Sequence, residues 1–388
     1  MKKRKADALR FTHLRVEKWR NFVSIDVDLQ SRTFLVGPNA SGKSNFLDVI
    51  RFLKDLASSG GGFQAAIQRN RGGVSSLRAL AARKHSDISI FAQIGNDENP
   101  ALWAYELTFN QDNQKRPIIK REYVYKQGHQ ILERPDPNDK RDPELLTQTH
   151  LEQILTNQDF REIAEFFTSI RYLHIVPQLI REPDRSVGKN NDPFGGDFLE
   201  QVARKPVKTQ QSRLRRICDA LKVAVPQLQD LELERDKTGT PHLRGKYEHW
   251  RPQGQWQTEE VFSDGTLRLL GLLWAVLDGR GPLLLEEPEL SLHPEVVRFI
   301  PLMFTRIQRN TGRQILVSTH SSDLLRDDGI GLDEVLLLQP EKEGTSVHPA
   351  SNFDEIKVLL EGGVSLADAI MPRTRPQHAE QLSLFGQS

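Results

Sequence analysis

The residues best suited to chemistry form one short stretch near the start of the chain. Residues 37–44 read GPNASGKS and match the pattern G-x-x-x-x-G-K-[ST]. The glycines in that pattern let the backbone wrap around phosphate groups, so that successive N–H groups point into one cavity. Lys43 would reach the β- and γ-phosphates of a nucleotide, and the Ser44 hydroxyl would hold Mg²⁺. The pattern predicts a nucleoside triphosphate site; the alternative is a chance glycine-rich turn.

The segments on both sides of this stretch favour the first interpretation. Residues 33–36 read TFLV, a short and mainly apolar run with β-branched residues at both ends, as expected of a strand. Residues 45–56 place Phe46, Ile50 and Leu53 at helical spacing. A strand, a glycine-rich turn and a helix N-terminus with its partial positive charge together make an anion-binding site.

A pair of carboxylates follows an apolar run much later in the chain. Residues 281–289 read GPLLLEEPE, which predicts a buried strand that ends at Glu286 and Glu287. Acidic residues at the carboxyl end of such a strand lie where ligands bind in open α/β sheets. One carboxylate would support Mg²⁺, and the next would orient and deprotonate an attacking water. The alternative is an acidic strand end that faces solvent.

Two further polar positions lie in the same part of the chain. An apolar strand over residues 314–319 ends at His320, whose ring could hydrogen-bond a γ-phosphate; a structural histidine is the alternative. Residues 262–270 open an apolar helix, with Ser263 as its N-cap and Gly265 where another backbone can approach closely. This helix start is either a second phosphate-binding site or an ordinary cap.

The net charge, the cysteine count and the length of the apolar runs exclude several classes of protein. The 388 residues carry a net charge of +1, so any DNA contact would come from a local patch and not from a global basic field. Cys218 is the only cysteine, which excludes a disulfide framework and suits a reducing cytoplasm. The longest apolar run, residues 269–277, is too short for a membrane span of about 20 residues.

The order of these motifs resembles that of the ABC-type ATPase heads of the RecF, SMC and OLD class, and in particular compact RecF-like ATPases of the AAA family. The resemblance covers residues 11–345. It implies an α/β fold, a P-loop NTPase of the ABC-ATPase head type, with a mixed sheet core, an antiparallel β lobe and an inserted helical subdomain. We expect four segments: an N-terminal lobe with the P-loop and a β-meander (1–135), a mainly helical insertion (136–228), a C-terminal lobe with the later motifs (229–350), and a C-terminal helix and flexible tail (351–388).

The resemblance also assigns roles to the paired acids and their neighbours. Glu286 matches the Walker B acid, where Asp is commoner, and Glu287 matches the catalytic base. Together with Lys43, Glu287 and the switch histidine His320 would be the catalytic residues. Gln68 is the best candidate for the Q-loop, so the implied magnesium ligands are Ser44, Glu286 and Gln68.

The remaining implied roles concern ATP itself. In the run FSDGT, Ser263 and Gly265 match the signature motif and would contact the γ-phosphate held by the other protomer; Asp264 stands where transporter-type heads have Gly. Arg20 matches an N-terminal arginine near the nucleotide. The residues implied to bind ATP are Gly37, Pro38, Asn39, Ala40, Ser41, Gly42, Lys43, Ser44, Asn45, Arg20, Ser263 and Gly265.

The implied mechanism is an ATP-dependent switch. Two heads would sandwich two nucleotides with Mg²⁺, so that ATP completes a homodimer and hydrolysis loosens it. The class suggests a cytoplasmic role on DNA, in repair or in defence against phage and plasmids, without a membrane. Because the sequence shows no nuclease signature, any DNA cleavage would come from a separate nuclease subunit.

Three other functions compete with this one. The chain could be an ATP-binding regulatory subunit with little turnover that gates a partner nuclease or other effector. A transporter-type ATPase is disfavoured by the SDG signature and by residues 288–294 (PELSLHP), which match the D-loop region of RecF- and OLD-like heads. A small-molecule kinase would need neither the signature helix nor His320.

The last residues carry a separate motif. Residues 381–385 read QLSLF and resemble the bacterial sliding-clamp binding motif QL[SD]LF. Gln381, Leu382, Leu384 and Phe385 would contact the clamp, since a terminal segment can present apolar side chains to a hydrophobic groove. The alternative is a short amphipathic end that packs on the ATPase itself.

Overall fold

The structure, a computed structural model, describes residues 8–79, 87–183, 192, 194–248, 255–375 and 381. The chain forms two compact units. The first comprises Met1–Arg171, Arg280–Leu284 and Phe304–Ser388, and the second comprises Tyr172–Gly279 and Leu285–Met303. The four segments expected from the sequence stay a prediction.

The described residues form runs of strands separated by helices. The strands are β1 (Arg10–Trp19), β2 (Phe22–Asp28), β3 (Arg32–Val36), β4 (Ile88–Gly95), β5 (Trp103–Gln111), β6 (Pro117–Lys126), β7 (His129–Arg134), β8 (Arg171–Leu173), β9 (Leu228–Arg235), β10 (Pro241–Tyr247), β11 (Gln255–Thr258), β12 (Leu283–Glu286), β13 (Ile315–Thr319), β14 (Val335–Glu341) and β15 (Gly344–Pro349). The helices are α1 (Lys43–Ala57), α2 (Val74–Leu77), α3 (Pro137–Arg141), α4 (Arg161–Thr168), α5 (Pro177–Ile180), α6 (Phe198–Ala203), α7 (Val207–Leu221), α8 (Asp264–Leu277), α9 (Pro294–Val297), α10 (Ile300–Thr311), α11 (Asp354–Glu361) and α12 (Leu366–Ile370). None of the described helices is long and apolar enough to cross a membrane.

An antiparallel sheet in the first unit has the strand order β2-β1-β4-β5-β6-β7. Its strands alternate apolar and polar residues, so one face is buried. That face packs on α1 through an aromatic group, in which Phe52 of α1 lies 5.2 Å from Trp19 and 5.7 Å from Phe109 between ring centroids. This contact fixes the helix that follows the P-loop.

A second sheet has the order β15-β14-β3-β13-β12-β8, and β3 pairs in parallel with both β13 and β14. All residues of β3 and β13 are buried, as in parallel strands covered on both faces. The buried Gln314, just before β13, donates from its amide to the carbonyls of Phe11 (2.7 Å) and Gln30 (2.9 Å) and accepts from the Phe11 N–H (2.9 Å). One side chain thus joins strands of both sheets within the first unit.

A buried ion cluster lies at the far end of the antiparallel sheet. Arg134 is fully buried and bonds to Glu122 (2.9 Å) and Asp139 (2.6 Å). Tyr105 donates to the other oxygen of Glu122 at 3.1 Å. Because every charge in the cluster has partners, its burial is tolerated, whereas removing one partner would leave another charge unpaired.

Glu152 lies beside this cluster and carries a shifted pKa. Its carboxylate accepts a hydrogen bond from the Phe63 N–H, in the loop after α1. Burial raises the pKa of Glu152 to about 7, the charge of Glu122 acts in the same direction, and the bond from Phe63 opposes both. The folded protein therefore binds this proton more tightly than the unfolded chain does.

The second unit contains the three-stranded sheet β11-β10-β9 and the helices α7 and α8. Helix α8 is buried on most sides, as its nearly continuous apolar sequence predicts. On α7, Arg213 bonds to Asp278 at 2.8 Å and stacks 5.2 Å from the Trp274 ring centroid. This arginine therefore stabilises the packing of the two helices.

The shift at Glu152 predicts a pH-dependent stability. A raised pKa stabilises the folded state fully below pH 4.5, the usual value for the group, and this contribution is lost as the pH rises through about 7. We expect Glu152→Gln, which cannot ionise, to become progressively more stable than the wild type between pH 5 and 8, by up to about 3 kcal/mol. Urea unfolding of both proteins across that range measures the difference. Glu144→Gln, at an exposed position, is the control, and a difference that does not vary with pH would contradict the prediction.

Candidate functional site

The P-loop forms the turn between β3 and α1 that the sequence predicts. Two of its residues adopt positive φ angles, Ala40 at 61° and Gly42 at 97°. At Gly42 a Cβ atom would lie 2.1 Å from the side-chain nitrogen of Asn21. Glycine is therefore required at this position for both conformation and space.

The polar groups of the turn suit a phosphate chain. Lys43 is the first residue of α1, and its Nζ donates to the carbonyls of Gly37 (3.0 Å) and Pro38 (3.1 Å). Ser44 is exposed in the first turn of this 15-residue helix. The hydroxyl of Ser41 is buried without a hydrogen-bond partner among the described residues. A helix N-terminus, a lysine and two hydroxyls form a donor set that fits a magnesium-bound triphosphate.

Asn21 holds this turn in place. Its Nδ2 donates to the Ser41 carbonyl (2.9 Å) and to Thr345 Oγ1 in β15 (2.8 Å), while its Oδ1 accepts from Asn45 (2.7 Å). The sequence reasoning missed this residue. The only feature of the sequence that could have indicated its role was its position in the short turn between β1 and β2, next to Arg20.

Arg20 contacts α1 about one helical turn after the P-loop. It has a φ of 51°, and its guanidinium bonds to Asp48 of α1 at 3.2 Å. The same carboxylate accepts from the buried Arg71 at 2.8 Å. Asp48 lies in α1, four residues after Ser44. Because Arg20 bonds to Asp48, it lies against the helix that begins at the P-loop. Its implied contact with the nucleotide stays a prediction.

His320 and the P-loop lie at the carboxyl ends of two neighbouring parallel strands, β13 and β3. In the register of β3 and β13, Thr319 is opposite Val36. The next residues along the two strands are His320 and Gly37, so the half-buried histidine lies beside the start of the P-loop. The fold therefore brings these two predicted elements together within the first unit.

Gln68 occupies a single π-helical turn, Ala65–Arg69, and is exposed. Such turns occur often at functional sites. A role as a magnesium ligand stays a prediction.

The signature residues lie at the start of α8 in the second unit. Ser263 is exposed and is the N-cap predicted from the sequence, accepting from the Thr266 N–H at 3.2 Å. A Cβ at Gly265 would lie 2.5 Å from the Ser291 carbonyl, so the glycine permits the close approach of the segment after the paired acids. Arg181 bonds to Asp264 and to the Phe262 carbonyl, both at 2.6 Å.

The paired acids lie at the end of β12, Glu286 as its last residue and Glu287 just after it, and they differ in their contacts. Glu286 accepts a hydrogen bond from the Tyr172 hydroxyl. Glu287 has a φ of 44°, a strained conformation for a residue other than glycine that occurs preferentially at functional sites. Arg268 of α8 lies in the field of Glu287, and burial lowers the pKa of its guanidinium. The sequence predicted both acids but neither neighbour.

The predicted site residues divide between the two units. The first unit holds residues 37–45, Arg20, Gln68 and His320, and the second holds Ser263, Gly265, Glu286 and Glu287. Of the tail motif only Gln381 is described, and it is exposed; Leu382, Leu384 and Phe385 lie outside the described residues.

The fold, together with a P-loop that opens α1, defines an ABC-type ATPase head. A family model described as "AAA domain, putative AbiEii toxin, Type IV TA system" matches residues 32–327, and the chain belongs to this family. The predicted resemblance to ABC-type ATPase heads and the predicted fold class are therefore confirmed. No curated protein matches the chain.

Solved structures of Smc heads share the fold. An Smc head with an extended coiled coil, bound to the C-terminal domain of ScpA and derived from Pyrococcus furiosus, is 12% identical with a TM-score of 0.52 over 92% of this chain and 100% of that one. An Smc head bound to the C-winged helix domain of ScpA is 12% identical, with a TM-score of 0.51 over 87% and 96%. An Smc head with a coiled coil and joint from Pyrococcus yayanosii is 12% identical, with a TM-score of 0.50 over 92% and 100%. At this identity the likeness concerns the fold alone.

The contacts of Asn21 predict its importance for nucleotide binding. We expect Asn21→Ala to weaken ATP binding about tenfold, because the P-loop turn loses hydrogen bonds on both sides. Titration with a fluorescent ATP analogue measures the affinity, and circular dichroism checks the fold. Asn110→Ala, which removes a bond to Asp87 on the antiparallel sheet, is the matched control. Equal affinities for the two variants would show that Asn21 does not support the site.

Proposed function

We propose that this chain binds and hydrolyses ATP with Mg²⁺ and that ATP joins two copies into a dimer that acts as a switch. The observation that carries the proposal is the P-loop itself, a left-handed turn at Gly42 that leads into a buried Lys43 at the start of α1. Membership of an AAA domain family supports the same activity.

Each predicted residue has a chemical role in this proposal. Residues 37–45 and Arg20 bind the nucleotide, with Lys43 on the β- and γ-phosphates. Ser44, Glu286 and Gln68 would hold Mg²⁺, which neutralises the phosphate charge when bound. Glu287 orients and deprotonates the attacking water, and His320 hydrogen-bonds the γ-phosphate. The strained backbone of Glu287 and the position of His320 beside Gly37 support these roles.

The second copy would complete the site through its signature helix. Ser263 is exposed at the N-terminus of α8, where backbone N–H groups and the helix dipole favour a phosphate. The second unit also exposes large apolar side chains, Val261 (64%), Leu290 (38%) and Phe299 (65%), which are suited to burial in an interface. The γ-phosphate would thus bridge the P-loop of one copy and Ser263 of the other.

The biological role proposed for this switch is defence against phage or plasmids, and the alternative role is DNA repair. The family description, which names a toxin of a type IV TA system, supports defence. Both roles imply action on DNA in the cytoplasm together with a separate nuclease or other effector. The tail motif suggests recruitment by the sliding clamp.

A variant that binds ATP without hydrolysing it tests the dimer. We expect Glu287→Gln with ATP to form a stable dimer, because loss of the general base traps the state in which the γ-phosphate bridges the two copies. Multi-angle light scattering gives the mass, and steady-state turnover should fall at least a hundredfold.

Two comparisons complete this test. Glu287→Gln combined with Lys43→Ala should stay monomeric, since the P-loop lysine is lost. A persistent monomer of Glu287→Gln at saturating ATP would refute the dimer. A wild type that dimerises on ATP with negligible turnover, with or without DNA, would indicate the regulatory subunit instead.

The tail motif predicts clamp binding by the full chain. We expect purified bacterial sliding clamp to bind the wild type and to lose that binding on Leu384→Ala and on Phe385→Ala, because these side chains supply the apolar contact. Surface plasmon resonance with immobilised clamp measures the affinity, and Ser388→Ala is the control. Unchanged binding by both variants would rule out this motif.

A further inference from the structure

We infer that Tyr172 is a positioning residue for the magnesium-supporting carboxylate of Glu286. The inference rests on the proposed function, which gives Glu286 its role. It concerns a residue outside all the motifs and follows from contacts within the second unit.

Tyr172 is well suited to hold a carboxylate. It is the central residue of the short strand β8, and its hydroxyl donates to Glu286 Oε2. A tyrosine has only two side-chain torsions, so a ring fixed by its strand holds its hydroxyl at little entropic cost.

Glu286 needs a positioning residue because its side chain is longer than that of an aspartate. Glu286 stands where the resemblance leads one to expect Asp, and glutamate has one more rotatable bond. Each added torsion lets the carboxylate leave a productive position and costs entropy when a metal orders it. A hydrogen bond from a fixed donor offsets that cost.

A competing partner for the carboxylate lies nearby. Arg268 lines the same small cavity as Glu286 and Glu287, together with apolar side chains of Leu173, Ile175, Leu272, Leu285 and Pro288. Its Nε is buried and has no hydrogen-bond partner among the described residues. A Glu286 side chain released by Tyr172 would be drawn to this guanidinium, because a buried cation strongly favours a carboxylate. Tyr172 therefore keeps Glu286 available for Mg²⁺.

Metal binding tests the inference directly. Mn²⁺ can be titrated into each protein with a non-hydrolysable ATP analogue and followed by electron paramagnetic resonance. We expect Tyr172→Phe to weaken Mn²⁺ binding about tenfold, the effect of one hydrogen bond to a charged group. Its affinity for the nucleotide without metal and its thermal stability should match those of the wild type.

Three further variants separate positioning from a structural effect. In a Glu286→Gln background, Tyr172→Phe should have no additional effect on Mn²⁺ affinity, since it acts through that carboxylate. Adding Arg268→Met to Tyr172→Phe should restore part of the affinity. Tyr125→Phe, on the antiparallel sheet of the first unit, is the matched control and should leave Mn²⁺ binding unchanged.

The outcomes distinguish this inference from the proposed function. Wild-type Mn²⁺ affinity in Tyr172→Phe, or an equal loss in the Glu286→Gln background, would overturn the role of Tyr172 alone. A wild type that binds neither the nucleotide analogue nor Mn²⁺ would overturn the proposed function and the inference with it.

Discussion

A φ of 97° at Gly42 places the backbone of the P-loop where α1 can begin with Lys43. Several parts of the first unit depend on that turn. Asn21, between β1 and β2, occupies the space that a side chain at Gly42 would need and bonds to Ser41 and to Thr345 in β15. The turn is therefore fixed by strands from both sheets. A phosphate site made of backbone N–H groups requires such support, because the loop itself has little side-chain packing.

The two sheets can support one turn because they are joined to each other. Gln314 exchanges hydrogen bonds with both backbone groups of Phe11, and it immediately precedes β13. Because β13 and β3 pair in parallel with Thr319 opposite Val36, the residues that follow them, His320 and Gly37, lie side by side. On the other side of α1, Phe52 packs against Trp19 and Phe109 of the antiparallel sheet. The helix that carries Lys43 thus follows directly from a strand of the mixed sheet and packs on the antiparallel one.

Sequence alone predicted those parts of the site that are formed by residues close together in the chain. The P-loop, the cap at Ser263 and the acids at the end of β12 each lie in a short run of residues whose spacing defines their conformation. It could not predict contacts that only the fold creates. Asn21 meets Thr345 across 324 residues, and Tyr172 meets Glu286 across 114. The raised pKa of Glu152 arises in the same way, from burial beside Glu122 that no spacing reveals.

Two departures from the family pattern gain a physical explanation from such distant contacts. Asp264 stands in the signature where transporter-type heads have Gly, and it pairs with Arg181, which also binds the Phe262 carbonyl. The longer acid Glu286 is held by Tyr172. In each case a polar side chain that could adopt several conformations bonds to a partner in the second unit. The exposed Ser263 therefore begins a rigid helix N-terminus, because Arg181 restrains the chain on one side and Gly265 packs against Ser291 on the other. In the dimer proposed above, a preorganised cap of this kind would bind the phosphate held by the second copy without first ordering its own backbone.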